Sequence, residues 1–346
     1  MNPTAWATLI TGLSTGTIIT MSSTHWLTAW VGLELNTLSI LPMLNQPRHP
    51  RATEATTKYF LIQTTAATMI LLTGTLTTWQ TGQWTLNQPM NPLTSTLLLA
   101  ALALKLGIAP LHLWYPDVIQ GSTMTTALII STWQKLAPLT FLYMSLPNLS
   151  APMVLTLGLI SAWWGGWVGL NQTQTRKILA LSSVAHMGWL MTALALSPQL
   201  TTLALLTYIT MTATMFITLK ALSTKTLLDL SLTHTHTPMT QTLALLTLLS
   251  LGGLPPLTGF MPKLLILKEL TSAHLTVLST LLLLASLPSL AFYTRMAYIT
   301  TLTAPAPATN TMHKWRHVPL TPTLLAPLMM LTSLLLPLTP LMSMTT

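Results

Sequence analysis

Hydrophobic runs of about 20 residues, the length that spans a bilayer, recur from one end of the chain to the other. Short breaks rich in Pro, Asn or charge separate them. The pattern predicts about eleven spans, over 3–21, 25–44, 55–80, 93–121, 124–146, 150–171, 176–196, 199–222, 238–271, 275–301 and 320–342. The fourth and ninth are long and interrupted. Many of the less hydrophobic positions inside the spans are Thr, whose hydroxyl can bond back to its own helix backbone. A transmembrane barrel would need strands of about ten alternating residues, and the sequence has none. The predicted fold is therefore an all-α polytopic membrane protein, with no loop large enough for a soluble domain.

The two interruptions match. "GIAPLHLWYP" begins at Gly107 in span four and "GLPPLTGFMP" at Gly253 in span nine. Both read G-x-x-P-L-x-x-x-x-P, placing Gly107 and Pro110 against Gly253 and Pro256, with Pro255 adding a second ring to the later break. An offset of five spans reverses direction through the membrane. The sequence thus predicts two inverted five-helix repeats, about 1–147 and 148–302, and a C-terminal helix about 318–343, all in one domain. Broken helices at matching places of inverted halves mark transporters. Chance is the competing account, because Gly and Pro are common in membrane helices; the shared spacing and span index favour the repeat. Proline explains each break, since it lacks an N–H and its ring clashes with the carbonyl one turn back. Carbonyls freed at membrane depth need partners from protein or a wet cavity.

Composition supports this reading. Charged residues make up 5% of the 346 and AVILMFWYC 51%, against about 25% charged in soluble domains. The net charge of +9 is scattered and offers no block to track a phosphate backbone, so no nucleic-acid partner is expected. With no Cys, the chain cannot supply Cys-ligated iron–sulfur clusters, thiol catalysis or disulfides. No GxGxxG, Walker loop, Ser/His/Asp order or HExxH occurs. His234 and His236 lack a neighbouring carboxylate or Cys and make a poor metal site. Arg48, Arg51, Arg176, Lys177, Lys225, Lys314 and Arg316 fall in loops on the side of the N-terminus, whereas the opposite loops hold only Lys268, beside Glu269. The positive-inside rule places the N-terminus in the cytoplasm, or in the matrix of a mitochondrion. "MNPTAWATLITGLSTGTIIT" runs straight into a span without the Arg-rich pattern of a transit peptide. Trp26, Trp30, Trp79 and Trp84 flank loops and suit an interfacial belt. Gly12/Gly16 and Gly165/Gly169 suit close helix packing.

Four charges fall near the predicted bilayer midplane. Glu34, Lys105 and Lys263 lie roughly 15 Å from a span end at 1.5 Å per residue, and Lys135 sits near the centre of span five. Each costs about 2.5–3.5 kcal/mol to insert on a translocon scale, so a reason for keeping them is needed. Burial disfavours an ammonium and a neighbouring carboxylate favours it. A lysine held between these influences can exchange protons, and Glu34 with Lys105 makes such a pair if spans two and four are neighbours. Transfer from Lys105 to Lys135 and on to Lys263 would form a lateral relay through water and hydroxyls. The bland alternative is a buried ion pair that only fixes helix register. His112, beside Pro110, and His186, in "SSVAHMGW", titrate in the right range to assist; a packing role is the alternative for each.

"WVGLELN", "KLGIAPLHLWYPDVIQG", "TWQKLAPL", "GLNQTQTRKILALSSVAHMGW" and "SLGGLPPLTGFMPK" resemble the antiporter-like chain 2 family of mitochondrial NADH:ubiquinone oxidoreductase, respiratory complex I. The resemblance runs nearly full length and is looser near 223–240 and after 300. It implies a proton channel of two inverted five-helix bundles in the membrane arm of the complex, in the mitochondrial inner membrane, with the N-terminus in the matrix. It implies Glu34 and Lys105 as the modulating pair, Lys135 as central relay and Lys263 as terminal relay, with His112 and His186 as further members. It implies other membrane-arm subunits and membrane lipids as partners. NADH, FMN, iron–sulfur clusters and ubiquinone would belong to other subunits, leaving no cofactor, metal or redox centre here. Two rival functions are a free-standing cation/proton antiporter, which should add buried carboxylates beyond Glu34, and a scaffold whose charges are structural.

Overall fold

The structure, a computed structural model of the chain, describes residues 2–232, 238–302 and 325–334. His234, His236, Lys314, Arg316 and much of the predicted C-terminal helix lie outside these. Among the described residues the secondary structure is helical apart from two isolated β-bridges. In chain order the helices are α1 Pro3–Ser22, α2 Trp26–Leu44, α3 Pro50–Thr81, α4 Pro92–Leu106, α5 Trp114–Gly121, α6 Met124–Ser131, α7 Leu136–Ser145, α8 Ala151–Leu170, α9 Thr175–Leu196, α10 Pro198–Leu222, α11 Leu227–Leu232, α12 Pro238–Gly252, α13 Phe260–Ser272, α14 Thr276–Thr301 and α15 Leu325–Leu334. Six of them, α2, α3, α8, α9, α10 and α14, are long and apolar enough to cross a bilayer. The chain folds as two compact units, residues 1–160 and 161–346, divided within α8.

Local chemistry sets many of the helix ends. Pro opens α1, α3, α4 and α10, where its missing N–H costs nothing and its fixed φ suits a helix. His25 and His49 cap α2 and α3 by accepting from Leu27 and Arg51 N–H. Left-handed Gly82 and Gly107 close α3 and α4. Threonine behaves as its composition suggests: Thr20 donates to the Thr17 carbonyl and Thr73 to the Ile70 carbonyl, both at 2.7 Å. A hydroxyl satisfied within its own helix can face apolar neighbours at little cost.

The predicted punctuation appears at both breaks with the same hydrogen bonds. Helix α4 ends and α5 begins around Gly107–Leu113, while α12 ends and α13 begins around Gly253–Gly259. Ile108 N–H donates to the Ala103 carbonyl, and Leu111 N–H to that of Ile108. At the second break, Leu254 N–H donates to Leu249 and Leu257 N–H to Leu254. Gly107 and Gly253 both take left-handed φ, 69° and 83°, a region open to glycine and strained for other residues. A second local likeness was not anticipated. His25, just before α2, bridges to Thr85 after α3, and Gln174, just before α9, bridges to Thr226 after α10.

Three expectations need correction. The helix that carries span three begins at Pro50, ahead of 55, because His49 and Pro50 form a good helix start. Span five is not continuous: α6 stops at Ser131, Trp133–Lys135 form a 3-10 turn, and α7 resumes at Leu136. Pro138 cannot donate to the Gln134 carbonyl one turn back, which accounts for the loosened backbone. Trp26 is 3% exposed, packed edge-on against Phe141 at 5.6 Å; it belongs to the core. Trp79, 86% exposed, fits the outer position expected of it. The small-residue positions do pack closely: a Cβ on Gly16 would lie 2.9 Å from the Gly32 carbonyl oxygen, and one on Gly165 would lie 2.7 Å from Ala185 N.

Candidate functional site

In the first unit the break after α4 and the break between α6 and α7 carry the two buried lysines. Lys105 occupies the last turn of α4, where a helix C-terminus favours positive charge. It is 6% exposed, and Lys135, in the 3-10 turn, is 3% exposed. Both line one small cavity with Asn36, Tyr59, Gln63 and Gln134. Its volume is about 10 Å³, the scale of a single water. The Lys105 ammonium nitrogen is buried and makes no hydrogen bond among the described residues. The Lys135 nitrogen stands 5.1 Å from the centre of the Tyr115 ring, within range of a cation–π contact.

Glu34 does not close onto Lys105. Among the described residues ion pairs join only Lys58 to Glu54, at 2.7 Å, and Lys58 to Asp117, at 3.2 Å. Glu34 is half-buried and one of its oxygens accepts from Thr37 Oγ1 at 3.1 Å. Thr37 itself lines the cavity. His112 is buried inside the first break; it does not itself line this cavity, but its carbonyl accepts from the N–H of Tyr115, which does.

The second unit has its own arrangement. Lys263, one turn into α13, donates to the Gly252 carbonyl at 3.1 Å, so the ammonium satisfies an acceptor exposed by the break in α12. It stands 5.9 Å from the Trp189 ring centre. His186, Trp189, Tyr208 and Lys263 line a cavity of about 20 Å³, and His186 Nε2 lies 3.5 Å from the Tyr293 hydroxyl. The sequence-predicted residues therefore fall into two sets: Lys105 and Lys135 with Glu34 nearby, and Lys263 with His186.

Buried amides that the sequence does not single out join these residues. Gln134 Nε2 donates to both the main-chain and side-chain oxygens of Asn36, each at 3.1 Å. Gln63 Nε2 donates to the Lys105 carbonyl at 3.4 Å. The available signal was polarity: an Asn or Gln deep in a greasy helix needs partners as much as a charge does. Arg295, in α14, is a further charge within a long helix. Its guanidinium bonds the Leu170 and Gln172 carbonyls, at 2.5 and 2.7 Å, and so holds the C-terminal end of α8.

Comparison with known proteins gives this arrangement a family. A family profile described as NADH:quinone oxidoreductase/Mrp antiporter, TM, matches residues 23–288, and one described as NADH dehydrogenase subunit 2 C-terminus matches 290–343. NADH-ubiquinone oxidoreductase chain 2 of Xenopus laevis is 49% identical over 342 residues, 99% of each chain. That of Salmo salar is 50% identical, covering 98% of each. Among solved structures, a chain of respiratory complex I from Thermus thermophilus with bound aureothin superposes with a TM-score of 0.81 at 28% identity, over 96% of this chain and 79% of that one. A chain of the Mrp complex from Dietzia shares the fold, with a TM-score of 0.84 at 17% identity over 97% and 75%. By sequence along its whole length and by fold, the chain belongs to the NADH:quinone oxidoreductase/Mrp antiporter family, with NADH-ubiquinone oxidoreductase chain 2 as its close kin.

Proposed function

We propose that the chain is a proton-translocating membrane-arm subunit of a respiratory NADH:ubiquinone oxidoreductase, in the mitochondrial inner membrane with its N-terminus in the matrix. About eleven membrane crossings in two inverted five-helix repeats are part of this reading. Supporting it are the six long apolar helices, the matching hydrogen bonds at the two breaks and the kinship to chain 2 proteins. The observation that carries it is the pair of buried lysines, Lys105 and Lys135, on one water-sized cavity.

Physically, a lysine in such a place is poised. Burial opposes its charged form and the negative Glu34 supports it. Redox work done elsewhere in the complex would change the field of Glu34 at Lys105, and the proton would pass by way of water toward Lys135. Lys263, bound to a broken-helix carbonyl beside His186, is proposed as the terminal relay, with His112 and His186 as auxiliary carriers. NADH, FMN, iron–sulfur clusters and ubiquinone would act in other subunits, and this chain would supply only proton-carrying groups. Lys105→Met tests the proposal, since it keeps the stem and removes the charge. The expected result is an assembled complex whose proton-coupled turnover falls by about ten-fold or more, the scale of one lost proton-transfer group. Wild-type pumping in that variant would leave the scaffold reading standing.

A further inference from the structure

The reaction as proposed needs charge changes at α2, which carries Glu34, to reach Lys135 on a different element. The cavity supplies a mechanical link. Gln134 immediately precedes Lys135 in the 3-10 turn between α6 and α7. Its side chain is 9% exposed and its amide is used at both ends. Nε2 donates twice to Asn36, to the main-chain oxygen and to Oδ1, at 3.1 Å each. Oε1 accepts from the Tyr59 hydroxyl at 3.5 Å. Asn36 lies two residues from Glu34 on α2, and Tyr59 lies on α3.

We propose that Gln134 is a positioning residue: it ties the turn bearing Lys135 to α2 and α3 and so sets where the Lys135 amine stands in the cavity relative to Lys105. This role presupposes the proton relay proposed above. A backbone that Pro138 leaves without its helical donor is free to shift, and a turn of three residues has little hydrogen bonding of its own to resist. A buried amide whose donor and acceptor are both engaged resists instead, because breaking either bond strands a polar group away from water. Gln134 does not ionise, so it can hold the lysine without competing for the proton. Displacement of α2 at Asn36 is then transmitted to Lys135 through one side chain.

The test uses the assembled complex in sealed membranes, with turnover and proton uptake expressed per assembled complex. Gln134→Leu fills the space and removes both bonds, and should lower proton-coupled turnover about three- to ten-fold, the scale of one or two buried hydrogen bonds. Gln134→Glu separates positioning from bulk. A protonated carboxyl can still donate to Asn36, whereas a carboxylate only accepts and repels the same oxygens. Its turnover should approach the native level on the acid side and fall as pH rises, a profile the native amide lacks. The titratable groups around this side chain are Glu34 on α2, Tyr59 on α3, Lys105 on α4, Tyr115 on α5 and Lys135 itself, and all are common to both proteins. Native turnover in Gln134→Leu, or a Gln134→Glu profile that either tracks the native enzyme or matches Gln134→Leu at every pH, overturns the inference. If Gln134→Leu does not assemble, the Gln134→Glu profile alone decides. Lys105→Met is run beside them: slow turnover there with native turnover in both Gln134 variants rejects the positioning role alone, whereas native turnover in Lys105→Met rejects the relay.

Discussion

At the scale of single residues, the four predicted charges are not equivalent. Lys105 and Lys135 are deeply buried, while Glu34 and Lys263 are half-buried. Each lysine uses a different device to be tolerated: a helix C-terminus for Lys105, an aromatic face for Lys135, a freed carbonyl for Lys263. The last depends on Gly253. A Cβ there would stand 3.0 Å from the Lys263 nitrogen, on a backbone at φ 83°. Gly253→Ala should therefore cost about 1–2 kcal/mol from the left-handed backbone alone and also push Lys263 off the Gly252 carbonyl. Lowered thermal stability of the assembled complex together with weakened pumping is the expected outcome. An unchanged melting temperature would show that the break accommodates a methyl group. Sequence reading reached these residues because charge inside a greasy run is conspicuous. It passed over Asn36, Gln63 and Gln134 because neutral amides among many threonines do not stand out until the fold brings them together.

At the scale of elements, the two predicted breaks are present, and a third divides α6 from α7. G-x-x-P-L was legible because Gly and Pro act locally, through φ and a missing donor. The break at Lys135 has no glycine, and the first turn of a helix tolerates a proline such as Pro138; only the packed structure shows the backbone loosened. The start of α11 offers a pH test outside the spans. Lys225 and Thr226 N–H donate to Asp229 Oδ2 at 3.0 and 2.8 Å. These bonds hold the Asp229 carboxyl below the ordinary carboxylate range, because they favour its charged form. A depressed folded value means that the cap contributes fully above the unfolded carboxyl range, about 3.9, and is lost as pH falls through the lower folded value. Hydrogen exchange at the Lys225 and Thr226 amides should stay slow near neutral pH and lose its extra protection only in strong acid. Protection that vanishes already near pH 5 would contradict it.

At the scale of the whole molecule, the distribution of acids separates the leading function from a free-standing antiporter. The chain has five Asp and Glu residues. Glu54 and Asp117 pair with Lys58 in exposed positions, Asp229 caps a short connector helix, and Glu269 is exposed. That leaves Glu34 as the acid beside the lysine cavity, whereas sodium binding needs several oxygen ligands in one place. Chain reconstituted alone in vesicles should show no sodium-driven proton movement. Sodium-for-proton exchange by the chain unaided would move the balance to the antiporter reading.

What the sequence alone determined was whatever depends on neighbours along the chain. Apolar length and scarce charge required helices in a bilayer, and Gly107, Pro110, Gly253 and Pro256 required breaks, because dihedral freedom and backbone donors are local properties. Tertiary structure decided what depends on residues far apart in sequence. It brought Asn36, Tyr59, Lys105 and Gln134 to one cavity, kept Glu34 out of contact with Lys105, and gave Lys263 the Gly252 carbonyl as its partner. A buried polar group takes its partner from whichever element packs against it, and packing is a property of the assembled helices.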